Sequence, residues 1–148
     1  MDEEQETNTV NVSGEAVPEN KSPPDKHYDT AFQLALLLDE HKGGQVVLID
    51  LRPLYGWTDF FILATVTSAA QRAGLRRHIK DFIKDKKIRI LNENRKNRKD
   101  DDWDFIDLGG TVIHLMTEKA RDFYELERLW SDGHILKIHE GQSQHFEY

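Results

Sequence analysis

The chain has 148 residues, 38% of them hydrophobic, no cysteine and a formal net charge of −7. That is enough for one domain with a small core plus a tail, and it excludes disulfides and thiolate metal sites. The longest apolar runs, such as Phe60-Phe61-Ile62-Leu63-Ala64, are far too short to span a bilayer. The opening Met1-Asp2-Glu3-Glu4 suits neither a secretory signal nor an acid-poor mitochondrial presequence, so a cytoplasmic protein is expected.

The charge is unevenly spread. Residues 1–25 hold Asp2, Glu3, Glu4, Glu6, Glu15, Glu19 and Asp25 against Lys21, a net of −6. The rest of the chain carries about −1 of the total −7 and is nearly balanced. Such a body, with local basic clusters, can approach RNA-rich surfaces. Residues 1–25 lack periodic apolar positions and cannot bury enough surface to offset the entropy of ordering. A disordered acidic tail is expected there, followed by an α/β domain over 26–132 and a C-terminal extension over 133–148.

A first helix is predicted over about Tyr28 to His41, with Ala31, Leu34, Ala35 and Leu38 in one stripe and Gly43-Gly44 ending it. Val46-Val47-Leu48-Ile49 is a continuous apolar run, which predicts a strand covered on both faces. After the connection Arg52 to Trp57, Asp59 to Thr65 forms a second strand. Ser68 caps a helix reaching about Asp85, with Leu75, Ile79, Phe82 and Ile83 on its inner face. Lys87 to Leu91 reads as a short strand, and Asn92 to Asp102 as a solvated, charged loop.

Leu108-Gly109-Gly110-Thr111 has the chemistry of a two-residue hairpin turn. The register follows by counting back: Asp107 opposite Val112, Ile106 opposite Ile113, Phe105 opposite His114, Trp103 opposite Met116. One face then shows Ile106, Leu108, Ile113 and Leu115. The other mixes Trp103, Phe105 and Asp107 with Val112, His114 and Met116, to be covered by a helix or left partly open for a partner. Glu118 to Ser131 reads as one last helix with an apolar stripe of Phe123, Leu126, Leu129 and Trp130, ended by Gly133. Ile135, Leu136 and Ile138 either add a strand or trail. The element order predicts a mixed sheet of about five strands with flanking helices.

Three stretches resemble the ribosomal silencing factor (Iojap-like) family. They are Ile49-Asp50-Leu51 with Thr58-Asp59-Phe60-Phe61-Ile62-Leu63-Ala64-Thr65 and Ser68; Trp103 through His114; and Arg121-Asp122-Phe123-Tyr124-Glu125-Leu126-Glu127-Arg128-Leu129-Trp130. The ordered set covers roughly residues 28–132, and the last helix is its most specific piece. The chain departs from the family pattern where Asn92-Glu93-Asn94 stands in place of a Glu-Gly pair and a longer charged loop precedes Trp103. The resemblance implies a nucleotidyltransferase-like sheet without catalytic groups. It also implies docking on the large ribosomal subunit through the interface protein L-fourteen, so that small-subunit joining is sterically blocked and translation falls. Homodimers are common in the family.

The partner-binding residues expected are Trp103, Asp107, His114, Arg121, Tyr124, Glu127 and Trp130. Arg121, Tyr124 and Glu127 are spaced three apart and would form one polar row beside the apolar stripe. Arg72, Arg76, Arg77 and Lys80, with Arg95 to Lys99, could touch rRNA phosphates, which would make affinity fall with salt. The enzymatic alternative rests on Asp50, Asp59 and Asp107 and on the Asp102/Asp104 pair as Mg²⁺ ligands for phosphoryl transfer. No Gly-Ser phosphate loop accompanies them. No catalysis, cofactor, metal or membrane partner is therefore expected. A second alternative, a large-subunit assembly factor, would use the same surface.

Overall fold

The computed structural model describes residues 26–54, 56, 58–94, 102–139 and 142–146, with His139 and residues 142–146 described by backbone alone. The acidic segment 1–25 and the basic run Arg95 to Lys99 lie outside the described residues. Helix α1 spans Lys26–Glu40 and buries the expected stripe of Ala31, Leu34, Ala35 and Leu38. Its end differs in detail from the sequence reading. Lys42, not a glycine, takes the left-handed conformation at φ 77°, and the Gly43 N–H donates to the Leu38 carbonyl at 2.8 Å. Gly43 is needed for close approach instead: a Cβ there would sit 2.9 Å from the Leu38 carbonyl oxygen and 3.3 Å from the Ala64 Cβ.

Strands β1 (Gly44–Asp50) and β2 (Phe60–Thr65) run antiparallel. Helix α2 (Ala69–Asp85) follows, its start capped by the Ser68 hydroxyl, which accepts from the Gln71 N–H. β3 (Asn92–Glu93), β4 (Trp103–Asp107) and β5 (Thr111–Met116) come next, and β5 lies parallel to β2. Short helices α3 (Glu118–Tyr124) and α4 (Leu126–Leu129) precede β6 (His134–His139) and β7 (Gln142–Phe146). The sheet order is β3-β4-β5-β2-β1-β6-β7.

The mixed sheet is as expected, but it is larger than five strands. Among the described residues it has six strands of five residues or more, and the two-residue β3 at one edge. The additions come from the C-terminal stretch, where Ile135 and Leu136 pair with Ile49 and Leu48. Lys87 to Leu91 is not a strand: Ile88 and Ile90 pack on the core, and ladder pairing starts only at Asn92, opposite Asp107. The β4–β5 register is the one read from the turn, from Trp103↔Met116 to Asp107↔Val112.

Both faces of the sheet are covered. Val46, Leu48, Phe60, Ile62, Ile113 and Leu115 face α1 and α2 in one core. Val47, Ile49, Phe61, Leu63, Val112 and Met116 face the α3–α4 side with Ala120 and Leu126. Alternate residues of a strand point to opposite faces, so continuous apolar runs are what a doubly covered sheet requires. Burying a side chain such as Leu126 contributes about 1.5–3 kcal/mol, enough to fix where α4 sits.

The last helix is the main correction. It is broken at Glu125, whose φ of 48° is left-handed. The break turns the chain so that Leu126 is buried and Trp130 packs against the sheet. Phe123 and Leu129, expected in the same stripe, are instead 77% and 70% exposed.

Candidate docking surface

The second face of the β4–β5 hairpin carries the site. Thr117 caps α3, its hydroxyl accepting from the Ala120 N–H at 3.2 Å and donating to Asp102 at 3.1 Å. This anchors α3 beside the start of β4. The Trp103 indole N–H donates to Nδ1 of His114 at 3.0 Å. Indole nitrogen can only donate, so Nδ1 is unprotonated and the neutral ring carries its proton on Nε2. Burial holds the imidazole neutral by lowering its pKa from 6.5 to about 4. Nε2 is buried without a hydrogen-bond partner among the described residues.

From His114 a chain of rings leads both ways. Inward, Phe61 stands edge-on to His114 at 4.7 Å and to Trp130 at 5.7 Å. Outward, Trp103 meets Tyr124 at 4.4 Å, and Tyr124 meets Phe123 at 4.9 Å. Exposure rises along the outward branch: Trp103 is half-buried, Tyr124 is 41% exposed and Phe123 is 77% exposed. A rigid ring stack rooted in the core and ending in solvent is a suitable anchor for a protein partner, because little side-chain entropy is lost on docking.

Trp103, His114 and Tyr124 therefore come together, with Trp130 linked through Phe61. The polar row does not form. Arg121 is 7% exposed and braces four elements. Its guanidinium donates to the Gln45 carbonyl at 2.9 Å, to the Thr65 hydroxyl at 3.1 Å and to Glu127 at 2.7 Å. The expected row fails because the break at Glu125 folds Glu127 back onto Arg121. The two side chains line an open groove of about 940 Å³ with Val47, Glu125 and Lys137.

Asp107 lies at the other end of β4. It accepts from the Gly109 N–H at 2.8 Å and so shapes the turn, where Gly109 holds φ 95°. Thr58 donates to the Gly109 carbonyl at 3.0 Å, pinning the hairpin tip to the start of β2. Sequence reading missed Phe123 and Leu129 as surface residues, since no glycine or proline marks the break. Of the other candidate carboxylates, Asp50 and Asp104 are held by arginines. Asp50 takes two bonds from the Arg52 guanidinium at 2.9 and 2.7 Å. Asp104 pairs with Arg76 at 3.2 Å and Arg72 at 3.5 Å. Arg76 also pairs with Glu93, so Arg72 and Arg76 are not free cations for a phosphate.

A family profile described as "Ribosomal silencing factor during starvation" matches residues 24–147. The chain belongs to this family. The ribosomal silencing factor RsfS of Haemophilus influenzae is 34% identical over 94 residues, covering 64% of this chain and 90% of the relative. The chloroplastic protein Iojap of Arabidopsis thaliana is 31% identical over 115 residues, covering 77% of this chain but 47% of the relative. A mouse protein named mitochondrial assembly of ribosomal large subunit protein 1 is 30% identical over 112 residues, covering 73% of this chain and 49% of its own length. The chain thus spans about half the length of these two organellar relatives. A solved protein of Chromobacterium violaceum shares the fold with a TM-score of 0.63 at 24% identity, covering 72% of this chain and 87% of its own. One from Bacillus halodurans aligns with a TM-score of 0.56 at 29% identity, covering 67% and 91%.

Proposed function

We propose that this protein is a ribosomal silencing factor that docks on the large ribosomal subunit through the Trp103–Tyr124–Phe123 surface. Its bulk then excludes the small subunit, and translation is repressed without any bond being made or broken. The observation that carries this is the ring stack ending in an exposed phenylalanine, in a chain that belongs to a family described by ribosome silencing. Solvent-exposed aromatics on a rigid base are what a protein interface uses to gain most of its binding energy. The ribosomal protein L-fourteen is the docking partner, with Glu127 and the Arg121 brace lining the adjoining groove and His114 and Trp130 supporting the rings. Asp107 acts at the hairpin tip. Of the four α2 cations Arg72, Arg76, Arg77 and Lys80, Arg77 is the one left to approach rRNA, since the others pair with Asp104 or Glu93.

The mouse relative's name favours a second reading, in which the same surface serves large-subunit assembly. Sedimentation separates the two. A silencing factor cosediments with mature large subunits and lowers their reassociation with small subunits; an assembly factor prefers precursors. Absence from both fractions overturns the proposal. Phe123→Ser and Tyr124→Ala are expected to abolish cosedimentation in the full chain while leaving thermal unfolding unchanged. Velocity sedimentation of the purified protein tests the homodimer expected from the family.

A further inference from the structure

A strongly charged face lies on the side of the sheet away from the ring stack. Between Ala69 and Leu91 the sequence has Arg72, Arg76, Arg77, Lys80, Lys84, Lys86, Lys87 and Arg89 against Asp81 and Asp85, a net of +6. The fold sorts these cations into two sets. Arg72, Arg76 and Lys80 turn toward the sheet edge and pair with Asp104 or Glu93. Arg77, Lys84, Lys86, Lys87 and Arg89 are exposed. None of these five has an ion-pair partner among the described residues, although Lys86 rests over the Phe82 ring at 5.6 Å. Arg77 and Lys84 are seven residues apart, on the helix face opposite the buried Leu75, Ile79 and Ile83. Asp81, four residues after Arg77 and three before Lys84, and Asp85 offset part of this charge; the remaining excess of cations favours an anionic partner.

We infer that this face of α2 and the turn after it is the docking site of the chain's own acidic segment, residues 1–25. The charges are opposite in sign: −6 on the segment, and on the face five exposed cations against the exposed Asp81 and Asp85, a net of +3. The root of the segment is on the correct side. α1, which begins at Lys26, packs in the same core as α2, and His41 just after it stacks on His78 of α2 at 3.6 Å. The reach is sufficient. Fifteen helical residues put the start of α1 about 22 Å from that contact, and 25 residues, taken as a random coil, would have an end-to-end distance of about 25–30 Å. Tethering sets an effective concentration in the millimolar range, so a weak ionic contact is populated. The docked segment shields Arg77, Lys84 and Lys87 from other polyanions, which must displace it. Because the contact is between exposed charges, salt weakens it. The inference does not rest on the ring-stack docking surface, which is on the opposite sheet face, and its test uses no ribosome.

Zero-length carbodiimide cross-linking of the full chain at low salt is expected to join acids of residues 2–19 to Lys84, Lys86 and Lys87. It should largely spare Lys119, whose side chain is 84% exposed on the other face. The yield should fall several-fold in about 0.3 M salt, where the screening length is about 6 Å, and also in Arg77→Gln/Arg89→Gln, which keeps every lysine. Equal labelling of Lys119 and the α2 lysines, or a yield indifferent to salt, overturns the inference. Binding of a short single-stranded RNA is the second measurement. Replacing Asp2, Glu3, Glu4 and Glu6 by their amides should tighten RNA binding about three-fold or more. That gain should vanish when Arg77→Gln/Arg89→Gln is added. A gain that persists undiminished means the segment acts through net charge alone, and no gain means it leaves the face open; either result overturns docking.

Discussion

Replacing Arg121 by Ala separates the fold of this protein from its docking surface. The guanidinium ties α3 to the Gln45 carbonyl of β1, the Thr65 hydroxyl of β2 and the Glu127 carboxylate of α4. Hydrogen bonds from a charged donor contribute about 1.5–3 kcal/mol each, and breaking a buried pair costs about 3–5 kcal/mol. Two discounts apply. The Glu127 side chain is 30% exposed and regains water, and the groove beside the brace, which Gln45 lines, lets water reach the freed Gln45 carbonyl. A net loss of about 2–4 kcal/mol remains. At about 3 °C per kcal/mol for a chain of this size, Tm should drop by about 6–12 °C. Urea and thermal unfolding of wild type, Arg121→Ala and Arg121→Lys read this directly. Arg121→Lys should recover only part of the loss, because one ammonium cannot reach all three acceptors. A Tm within about 2 °C of wild type for Arg121→Ala would refute the brace and return Arg121 to the role of a free surface cation.

The surface residues should behave in the opposite way. Leu129→Ser is expected to change stability by no more than about 0.5 kcal/mol, while Phe123→Ser weakens large-subunit binding at least about ten-fold, as measured by sedimentation. His114 should make stability depend on pH. Its folded pKa of about 4 lies below the ordinary 6.5, so the unfolded chain binds the proton first and stability falls as pH drops from about 6.5 toward 4. Between pH 7 and pH 5 the His114 contribution to the loss is about 2 kcal/mol, and urea unfolding of His114→Gln should show a pH dependence smaller by that amount. Gly133→Ala should be destabilising by more than about 2 kcal/mol, because its Cβ would lie 2.6 Å from the Asp50 carbonyl oxygen. Unchanged thermal unfolding of this variant would mean that β6 shifts freely against β1.

Short-range chemistry in the sequence was sufficient for much of the architecture. The Gly109-Gly110 turn set the β4–β5 register, and with it the meeting of Trp103 and His114 on one face. The α1 stripe and the doubly apolar β1 and β2 read correctly because burial follows periods of 3.6 and 2 residues. What the tertiary structure alone decided begins at Glu125. Periodicity arguments assume a straight helix, and the left-handed break falls on a residue that carries no turn signal. That single conformation buries Leu126, exposes Phe123 and Leu129 and brings Glu127 to Arg121. The burial of Arg121 also depends on acceptors 76 and 56 residues away in sequence, at Gln45 and Thr65. Ile135 and Leu136 likewise carry too weak a pattern to declare a strand. They become one because the edge of β1 offers unpaired backbone groups, and burying them without partners would cost more than ordering the segment.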